Sequence, residues 1–213
     1  MKRIFSLLLL SLFLISCSRE VYNSELVTSG GWYYCQNENK PYTGTGIEYD
    51  EKMTIRKRYN YKNGGLEGIT YYYYPDGKVE EEVMFKNNVK HVVSRSYFNS
   101  GRLSSETAYV NGKPNGVSRS YYHLNGELSH EGYVVSGLLD GAQKTYFEDG
   151  NIKSIEIYKA GIRDGSFMIY FSNGNVKVKG YFKDGMVDGE FKEYDEKGKV
   201  VATRIFKSGV EIK

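Results

Sequence analysis

The sequence contains few of the residues from which catalytic and metal sites are built. Its 213 residues include only two cysteines and three histidines. No cluster of His, Cys, Asp and Glu has metal-ligand spacing, since His91, His123 and His130 lie near different turns or strands. No Ser or Cys nucleophile motif, phosphate-binding glycine loop or pair of acids stands out. We therefore expect a protein that is not an enzyme, with no cofactor, no metal and no small-molecule substrate.

A strong charge of one sign and a long apolar run are also missing. The formal net charge is +3, and removal of Lys2 and Arg3 with a signal peptide leaves about +1, which argues against a nucleic-acid partner. The apolar stretch at 4–15 has about 12 residues, whereas a membrane-spanning helix needs about 20. Lys2, Arg3 and this stretch together predict a cleaved signal peptide.

The end of the apolar stretch indicates how the protein is attached to a membrane. Residues 14–17 read Leu-Ile-Ser-Cys and resemble the lipobox of bacterial lipoproteins. The resemblance implies a signal peptide over 1–16 and a lipid on Cys17, and hence a lipid-anchored protein of the cell envelope. Ser18, where an Asp would favour the inner membrane, favours the outer membrane in a Gram-negative host, facing the periplasm or the exterior. The alternative is an ordinary secretory signal followed by a chance cysteine.

The segment after the lipobox has no clear period, and we expect 17–30 to be the lipidated cysteine and a flexible tether. Cys35 is the second cysteine. Because a lipidated Cys17 cannot form a disulfide, we expect no disulfide framework within the chain. Cys35 is then a buried residue of the first strand, with pairing between two chains as the alternative.

The main positive feature is an internal repeat of about 24 residues. A tyrosine recurs at Tyr49, Tyr73, Tyr97, Tyr121, Tyr146, Tyr170 and Tyr194. A turn-type glycine follows at Gly77, Gly101, Gly126, Gly150, Gly174 and Gly198. Each unit has two runs rich in β-branched and aromatic residues around a turn signal, which predicts a β-hairpin. No segment has sustained helical periodicity, so we expect essentially no helix.

The predicted fold class is all-β. Tandem β-hairpin repeats with a period of about 24 form one elongated, twisted, largely single-layer antiparallel sheet over 31–213, with about seven repeats. Three units depart from the pattern. The first has Met53 at the turn-glycine position, the third has Asn88 and Val92 in place of paired glycines, and the fourth has an extra residue before Gly126.

The repeat pattern can be written Gly-x-x-x-Gly, four residues, Tyr-aromatic, x-x-Gly, x-hydrophobic. It resembles the MORN-repeat variant of bacterial proteins of the YwqK-type antitoxin family, and residues 40–44 (Lys-Pro-Tyr-Thr-Gly) resemble the entry to that family's first repeat. The resemblance covers about 31–213. It implies the repeat-sheet fold and an immunity role, in which the protein covers the active site of a toxin.

Side chains two residues apart in a strand share a face, which predicts a candidate binding ladder. Its members are Arg95, Tyr97, Arg119, Tyr121, Lys144, Tyr146, Tyr170 and Tyr194. A basic-aromatic surface of this kind can engage an acidic protein or anionic headgroups. Alternatively, acids on the second strands neutralise it, the candidates being Glu80, Glu81, Glu82, Glu106 and Glu131.

A column of oxygen-bearing side chains precedes the second glycine of successive units: Glu67, Asn115, Asp140, Asp164 and Asp188. It predicts turn structure, with a cation site as the alternative. Taken together, the sequence predicts a membrane-anchored lipoprotein whose repeat sheet is a non-catalytic module for binding a protein, either a toxin or an envelope protein. The alternative function is binding of envelope lipid headgroups or glycans.

Overall fold

The computed structural model describes residues 19–212, and most of them lie in β-strands. In chain order the strands are β1 (Glu20–Tyr22), β2 (Leu26–Ser29), β3 (Trp32–Cys35), β4 (Gly44–Tyr49), β5 (Ile55–Lys62), β6 (Gly65–Leu66), β7 (Gly68–Tyr73), β8 (Val79–Lys86), β9 (Val89–Tyr97), β10 (Leu103–Val110), β11 (Lys113–Tyr121), β12 (Leu128–Val135), β13 (Leu138–Tyr146), β14 (Ile152–Lys159), β15 (Ile162–Tyr170), β16 (Val176–Lys183), β17 (Met186–Val187), β18 (Gly189–Tyr194), β19 (Val200–Lys207) and β20 (Val210–Ile212). A 3-10 turn covers Asn23–Glu25, and the described residues contain no α-helix. No segment in this part of the chain forms a helix long and apolar enough to cross a membrane. The predicted all-β class is confirmed.

The strands from β4 to β20 form one antiparallel meander, in which neighbours in space follow one another along the chain. At two positions in the sheet the strand is divided into two short strands: β6 and β7 both pair with β5, and β17 and β18 both pair with β16. The seven predicted hairpins run from β4–β5 to β18–β19, and β20 adds a last short strand. At the other end, β1 pairs in parallel with β4. The predicted sheet of repeated hairpins is therefore confirmed.

Two kinds of turn alternate along the meander. At one edge, which we call the two-residue edge, both central residues have positive φ, as Asn111 (+50°) and Gly112 (+79°) show. This is the type I′ geometry that matches strand twist and favours Asn-Gly. At the other edge, the Gly77 N–H donates to the Tyr74 carbonyl at 2.9 Å, and the Tyr74 N–H donates to the Lys78 carbonyl at 2.8 Å. Such three-residue loops need a left-handed residue at their last position, which explains the repeated glycine.

The three departures from the repeat fall where the sequence places them. Met53 occupies the glycine position of its loop with φ +61°, and Asn88 and Val92 both adopt φ +65°. The loop before Gly126 is one residue longer, since the Tyr122 N–H donates to the Glu127 carbonyl at 2.8 Å. The backbone geometry of the repeat is thus retained even where the preferred residue is absent.

The first part of the described chain differs from the expected tether. Residues 20–30 form β1, the 3-10 turn and β2, and β2 pairs with β3 in a separate hairpin. Val21 and Leu26 are buried with Tyr42 and Tyr61 in the cluster that forms the main core. This correction has a physical reason: isolated apolar side chains of a non-periodic segment gain stability by covering one end of an otherwise single-layer sheet.

Cys35 is buried in this core, as expected for the first strand. The structure describes it as disulfide-bonded, so the expectation that a disulfide is excluded is wrong for this structure. The predicted lipid site, Cys17, and the signal peptide at 1–16 lie outside the described residues.

The sheet has two distinct faces. The tyrosine face carries Arg95 and its neighbours in register, and Ile47, the register partner of Arg58, is buried at its N-terminal end. The opposite face contains the most buried row of the repeats, including Val83, Ser94, Gln143 and Phe167. The core around Tyr61 lies on the opposite face, because Tyr61 is three residues along the strand from Arg58, whose side chain is on the tyrosine face.

Candidate functional site

The strand register brings thirteen side chains into one line across the tyrosine face. Directly paired residues project from the same face of a sheet. From β5 to β19 this line, which we call the central row, is Arg58, Tyr71, Glu82, Arg95, Glu106, Arg119, Glu131, Lys144, Ile155, Met168, Lys179, Lys192 and Thr203.

The middle of the central row alternates bases and acids. Arg119 bridges two strands, with Nε 2.7 Å from Glu131 Oε2 and Nη1 3.2 Å from Glu106 Oε1. Arg95 Nε lies 3.6 Å from Glu106 Oε2. The carboxylates also raise the pKa of the Arg119 guanidinium, chiefly through the hydrogen bond to Glu131. At Arg95 and Arg119 the structure therefore shows the alternative prediction, in which glutamates of the second strands neutralise the basic residues of the ladder.

The repeated tyrosines lie beside the central row, and two of them donate a hydrogen bond to the glutamate fifteen positions earlier. The Tyr97 hydroxyl donates to Glu82 Oε2 at 3.0 Å, and the Tyr121 hydroxyl donates to Glu106 Oε1 at 3.3 Å. Burial, followed by the nearby glutamate, raises the pKa of both phenols. Burial and the charge of Glu131 likewise raise the pKa of Tyr146.

The contacts of the last two tyrosines are chemically different. The Tyr170 hydroxyl lies 3.3 Å from Met168 Sδ, and Lys179 Nζ lies 5.7 Å from the centre of the Tyr194 ring. The position fifteen residues before the tyrosine is thus Glu82, Glu106 and Glu131 in successive repeats, then Ile155, then Lys179. The ladder residues are brought together on one face as predicted, but their partners change along the sheet.

Two lysines face each other in the C-terminal part of the central row, where Lys179 and Lys192 are direct register partners. The candidate ladder did not include Lys179, although a comparison of equivalent repeat positions would have shown a lysine where Glu82, Glu106 and Glu131 stand. Lys144, predicted as part of the ladder, lies opposite Glu131, which is already bonded to Arg119. Within residues 19–212, neither Lys144 nor Lys179 has a carboxylate within 4.0 Å.

A shallow depression of about 470 Å³ opens beside Lys179 on the tyrosine face. Its lining includes Met168, Tyr181 and Glu190. Tyr181 is 44% exposed, so an aromatic surface is available next to the lysine. The depression could receive a side chain of a partner, but it is too open to exclude water from a reaction.

The column of acids stabilises turns. Three carboxylates accept a backbone N–H from the first residue of the following type I′ turn: Glu67 from Asn87 at 3.0 Å, Asp140 from Ala160 at 3.1 Å and Asp188 from Ser208 at 3.0 Å. Each of these three acids therefore stabilises the next turn along the edge. Among residues 19–212, no group of three or more His, Cys, Asp and Glu side chains could hold a metal ion.

Comparison with known proteins identifies the hairpin unit. The family model of the MORN repeat variant matches residues 66–87, 139–160, 163–184 and 187–208. Each matched segment is one hairpin that begins just after a type I′ turn and ends in the next one. Together the segments cover less than half of the chain, and no curated protein matches it. The chain is a β-hairpin repeat protein in which four of the seven hairpins match the MORN repeat variant.

Proposed function

We propose that the protein is a non-catalytic module that binds another protein through the tyrosine face. The observation that carries this proposal is the central row, a continuous line of thirteen side chains from β5 to β19 in which Arg, Lys, Tyr and Met residues predominate and three glutamates alternate with the bases in the middle. Tyr and Arg are enriched among the residues that dominate the energy of protein interfaces. The half-buried tyrosines beside the row are held by hydrogen bonds such as that from Tyr121 to Glu106, so a partner meets a preorganised surface.

Photocrosslinking tests this proposal with a control one residue away. A benzoylphenylalanine replacing Tyr121 reports on the tyrosine face, whereas the same group replacing Ser120 reports on the opposite face of the same strand. In cells that produce the protein, we expect one protein to crosslink at Tyr121 and not at Ser120. The crosslink should weaken when Arg119 is also changed to Ala. Equal crosslinking at both positions, or crosslinking to no protein, would show that the tyrosine face is not the binding surface.

We further propose that the partner is a toxin or an envelope protein and that the module has an immunity role of the YwqK-antitoxin type. The four MORN-variant matches support the repeat unit on which that resemblance rests. The expected result is that expression of the crosslinked partner alone stops growth and that co-expression of this protein restores it. A partner that is harmless when expressed alone would leave a structural role in an envelope assembly.

We also propose that the mature protein is anchored by a lipid on Cys17 and lies in the cell envelope, at the outer membrane if the host is Gram-negative. The Leu-Ile-Ser-Cys sequence at 14–17 supports this proposal. A lipid and a disulfide both consume the thiol of Cys17. Since the sequence has two cysteines, a lipidated Cys17 requires that the disulfide of Cys35 be made with another chain or be lost.

Mass spectrometry of the N-terminal peptide from membranes separates these states. A peptide that begins at Cys17 and carries two or three acyl chains is the expected result. An unmodified peptide, or one linked to Cys35 through a disulfide, would show that the protein is not a lipoprotein.

A second candidate function, recognition of anionic lipid, is favoured by the two-residue edge. Exposed aliphatic residues there pair directly with lysines: Lys86 with Val89, Lys113 with Val110, Lys159 with Ile162, Lys183 with Met186 and Lys207 with Val210. Lysines beside apolar side chains are the composition that binds a membrane surface. Flotation of unlipidated protein with vesicles of phosphatidylglycerol tests it. We expect binding that Lys159→Glu and Lys183→Glu together abolish if this function is present, and no flotation if the tyrosine face alone binds.

A further inference from the structure

The hairpin of β2 and β3 presents the single tryptophan of the sequence at the surface. Trp32 and Tyr34 are two residues apart in β3 and share one face of that strand, while Tyr33 between them packs against the main core. Trp32 is 40% exposed. An indole with this exposure offers a large, rigid apolar surface to a ligand.

The position of Trp32 is fixed by its contacts with the edge of the large sheet. Its six-membered ring packs against Gly65, where an added Cβ would lie 2.8 Å from Cζ3. Asn88 stands where other repeats have a turn glycine, and its side chain connects the two sheets. Its amide donates to the Gly31 carbonyl at 3.2 Å, and its Oδ1 accepts the Leu66 N–H at 2.6 Å. The hairpin is thus attached to the sheet edge, and the indole is in place before a ligand binds.

A depression of about 430 Å³ opens beside this indole at the first two turns of the two-residue edge. Its apolar lining consists of Trp32, Tyr34 and Pro41. The volume is within the range of small-ligand sites, which combine aromatic side chains with a few polar groups.

The polar lining carries donors and acceptors but no net charge. Lys62 and Glu67 contribute one charge of each sign, and Asn63 and Asn87 contribute two carboxamides. The backbone N–H of Asn87 lies 3.0 Å from Glu67 Oε2 and holds that carboxylate in place. Both asparagines are exposed, and each carboxamide can donate and accept hydrogen bonds. This lining favours a neutral ligand with many hydrogen-bonding groups over an anion or a cation.

We propose that the depression beside Trp32 binds a neutral glycan, in which one pyranose ring stacks on the indole. The hydroxyls of the sugar bond to Asn63, Glu67 and Asn87. A pyranose has a face of C–H groups, which packs on an aromatic ring, and a rim of hydroxyls that each donate and accept. None of the lining residues belongs to the central row, so this is a second site on the protein.

A proline-rich peptide is the other ligand that aromatic grooves commonly select. Its prolines have carbonyl acceptors but no N–H, so such a peptide would cover the Glu67 carboxylate without giving it a donor. Loss of hydration without a new hydrogen bond is costly for a charged group. The polar lining therefore favours the sugar.

Titration of the full chain with neutral tetrasaccharides tests the site, because the fluorescence of the single tryptophan reports on it directly. The probes are cellotetraose, maltotetraose and chitotetraose, with excitation at the red edge of the spectrum, where tyrosine does not absorb. We expect at least one of them to shift the Trp32 emission saturably, with a dissociation constant of about 1 mM or lower. That constant should change less than twofold between 0.05 and 0.5 M NaCl, because a neutral ligand is not attracted by charge. A steep dependence on salt, or no saturable shift with any of the three sugars, would overturn the proposal.

Asn63→Gly and Asn87→Gly together should weaken sugar binding at least fivefold. Both positions have positive φ, which glycine adopts readily, so the double variant keeps the turns and removes the amides. The matched control is Asn111→Gly at the equivalent turn of the next repeat, which should leave the dissociation constant within twofold of the original. Unchanged binding by the double variant, or equal weakening by the control, would contradict the site. So would a polyproline decapeptide that shifts the Trp32 emission at a lower concentration than any of the sugars.

The photocrosslinking at Tyr121 and the titration at Trp32 fail independently. A crosslinked partner without sugar binding would leave the protein-binding module standing and remove the glycan site. Sugar binding at Trp32 without any crosslinked partner would leave the glycan site and remove the function proposed for the tyrosine face.

Discussion

The central strands β8–β13 and the C-terminal strands β14–β19 repeat the same hairpin but fill it with different chemistry. In the central strands the central row alternates charges, and Arg119 joins Glu106 to Glu131 across three strands. In the C-terminal strands the same row continues as Ile155, Met168 and two lysines. The antiparallel meander continues through both regions, so it does not depend on any one kind of side-chain pair.

The opposite face shows the same contrast. In the central strands, small hydroxyl residues meet there, with Thr107 Oγ1 3.1 Å from Ser118 Oγ. In the C-terminal strands, the centre of the Phe167 ring lies 4.6 Å from the centre of the Phe182 ring and 6.2 Å from that of the Phe191 ring. The comparison shows that turns and backbone hydrogen bonds define this sheet. Side chains can therefore differ between its parts, with an aromatic cluster that stabilises the C-terminal strands and charged side chains that form the surface of the central strands.

The largest expected effect comes from the aromatic cluster of the C-terminal strands. Phe167 is 6% exposed, and truncation of a buried Phe usually costs about 3 kcal/mol or more. We expect Phe167→Ala to lower the free energy of unfolding by about 3 kcal/mol. The matched control is Ser118→Ala, two repeats earlier, which should cost about 1 kcal/mol or less. Chemical denaturation measures both, and equal losses would mean that the two regions do not differ in how they are stabilised.

A smaller effect should appear at high pH in the central strands. Burial and neighbouring glutamates raise the pKa of Tyr97 and Tyr121 above that of a free phenol, about 10. The folded protein therefore holds these protons more tightly than the unfolded chain, so the associated stability is present below pH 10 and is lost as the pH rises above it. Replacing both with Phe should make the fall in unfolding free energy from pH 8 to pH 11 less steep.

The difference between the two proteins at pH 7 is the control for this measurement, because both tyrosines are neutral there in either state. It gives the cost of the lost hydroxyls, which can be subtracted at every higher pH. Parallel stability curves from pH 8 to pH 11 would show that these phenols do not contribute to alkaline unfolding.

The ion pairs of the central row should contribute less again. Arg119→Ala leaves Glu106 and Glu131 without their shared cation, and we expect a loss of about 1 kcal/mol at low salt, since the groups are partly exposed. Lys192→Ala should cost nearly nothing, because it removes an ion pair with Glu190 and a like-charge contact with Lys179 together. Denaturation in 0.05 and 1 M NaCl tests both, and an Arg119 effect that does not shrink with salt would not be electrostatic.

The contrast also explains what the sequence could predict. The period fixed the turns, so the seven hairpins and even the left-handed conformation at Met53 were predictable from the chain. The packed segment 20–30 was not, because Val21 and Leu26 have no repeat partner to reveal their burial. Glu106 lies between Arg95 and Arg119 because of the register between strands. The spacing of residues along a single strand does not give that register, so these partners were not predictable from the repeat alone. Lys179 could be noticed in the sequence only because it replaces the glutamate found at the equivalent position of earlier repeats.

The smallest effect is expected at the like-charge pair of the C-terminal strands. Lys179→Glu converts a like-charge pair with Lys192 into an opposite-charge pair, which should raise the free energy of unfolding by about 0.5 kcal/mol. For a chain of this length that corresponds to a rise in Tm of about 1 to 2 °C, measurable by calorimetry. Lys197→Glu, in the neighbouring loop, should show no such gain. A more stable variant would mean that the C-terminal strands retain an unfavourable pair that the fold does not need. A less stable variant would mean that Lys179 is retained for the fold, through its contact with Tyr194.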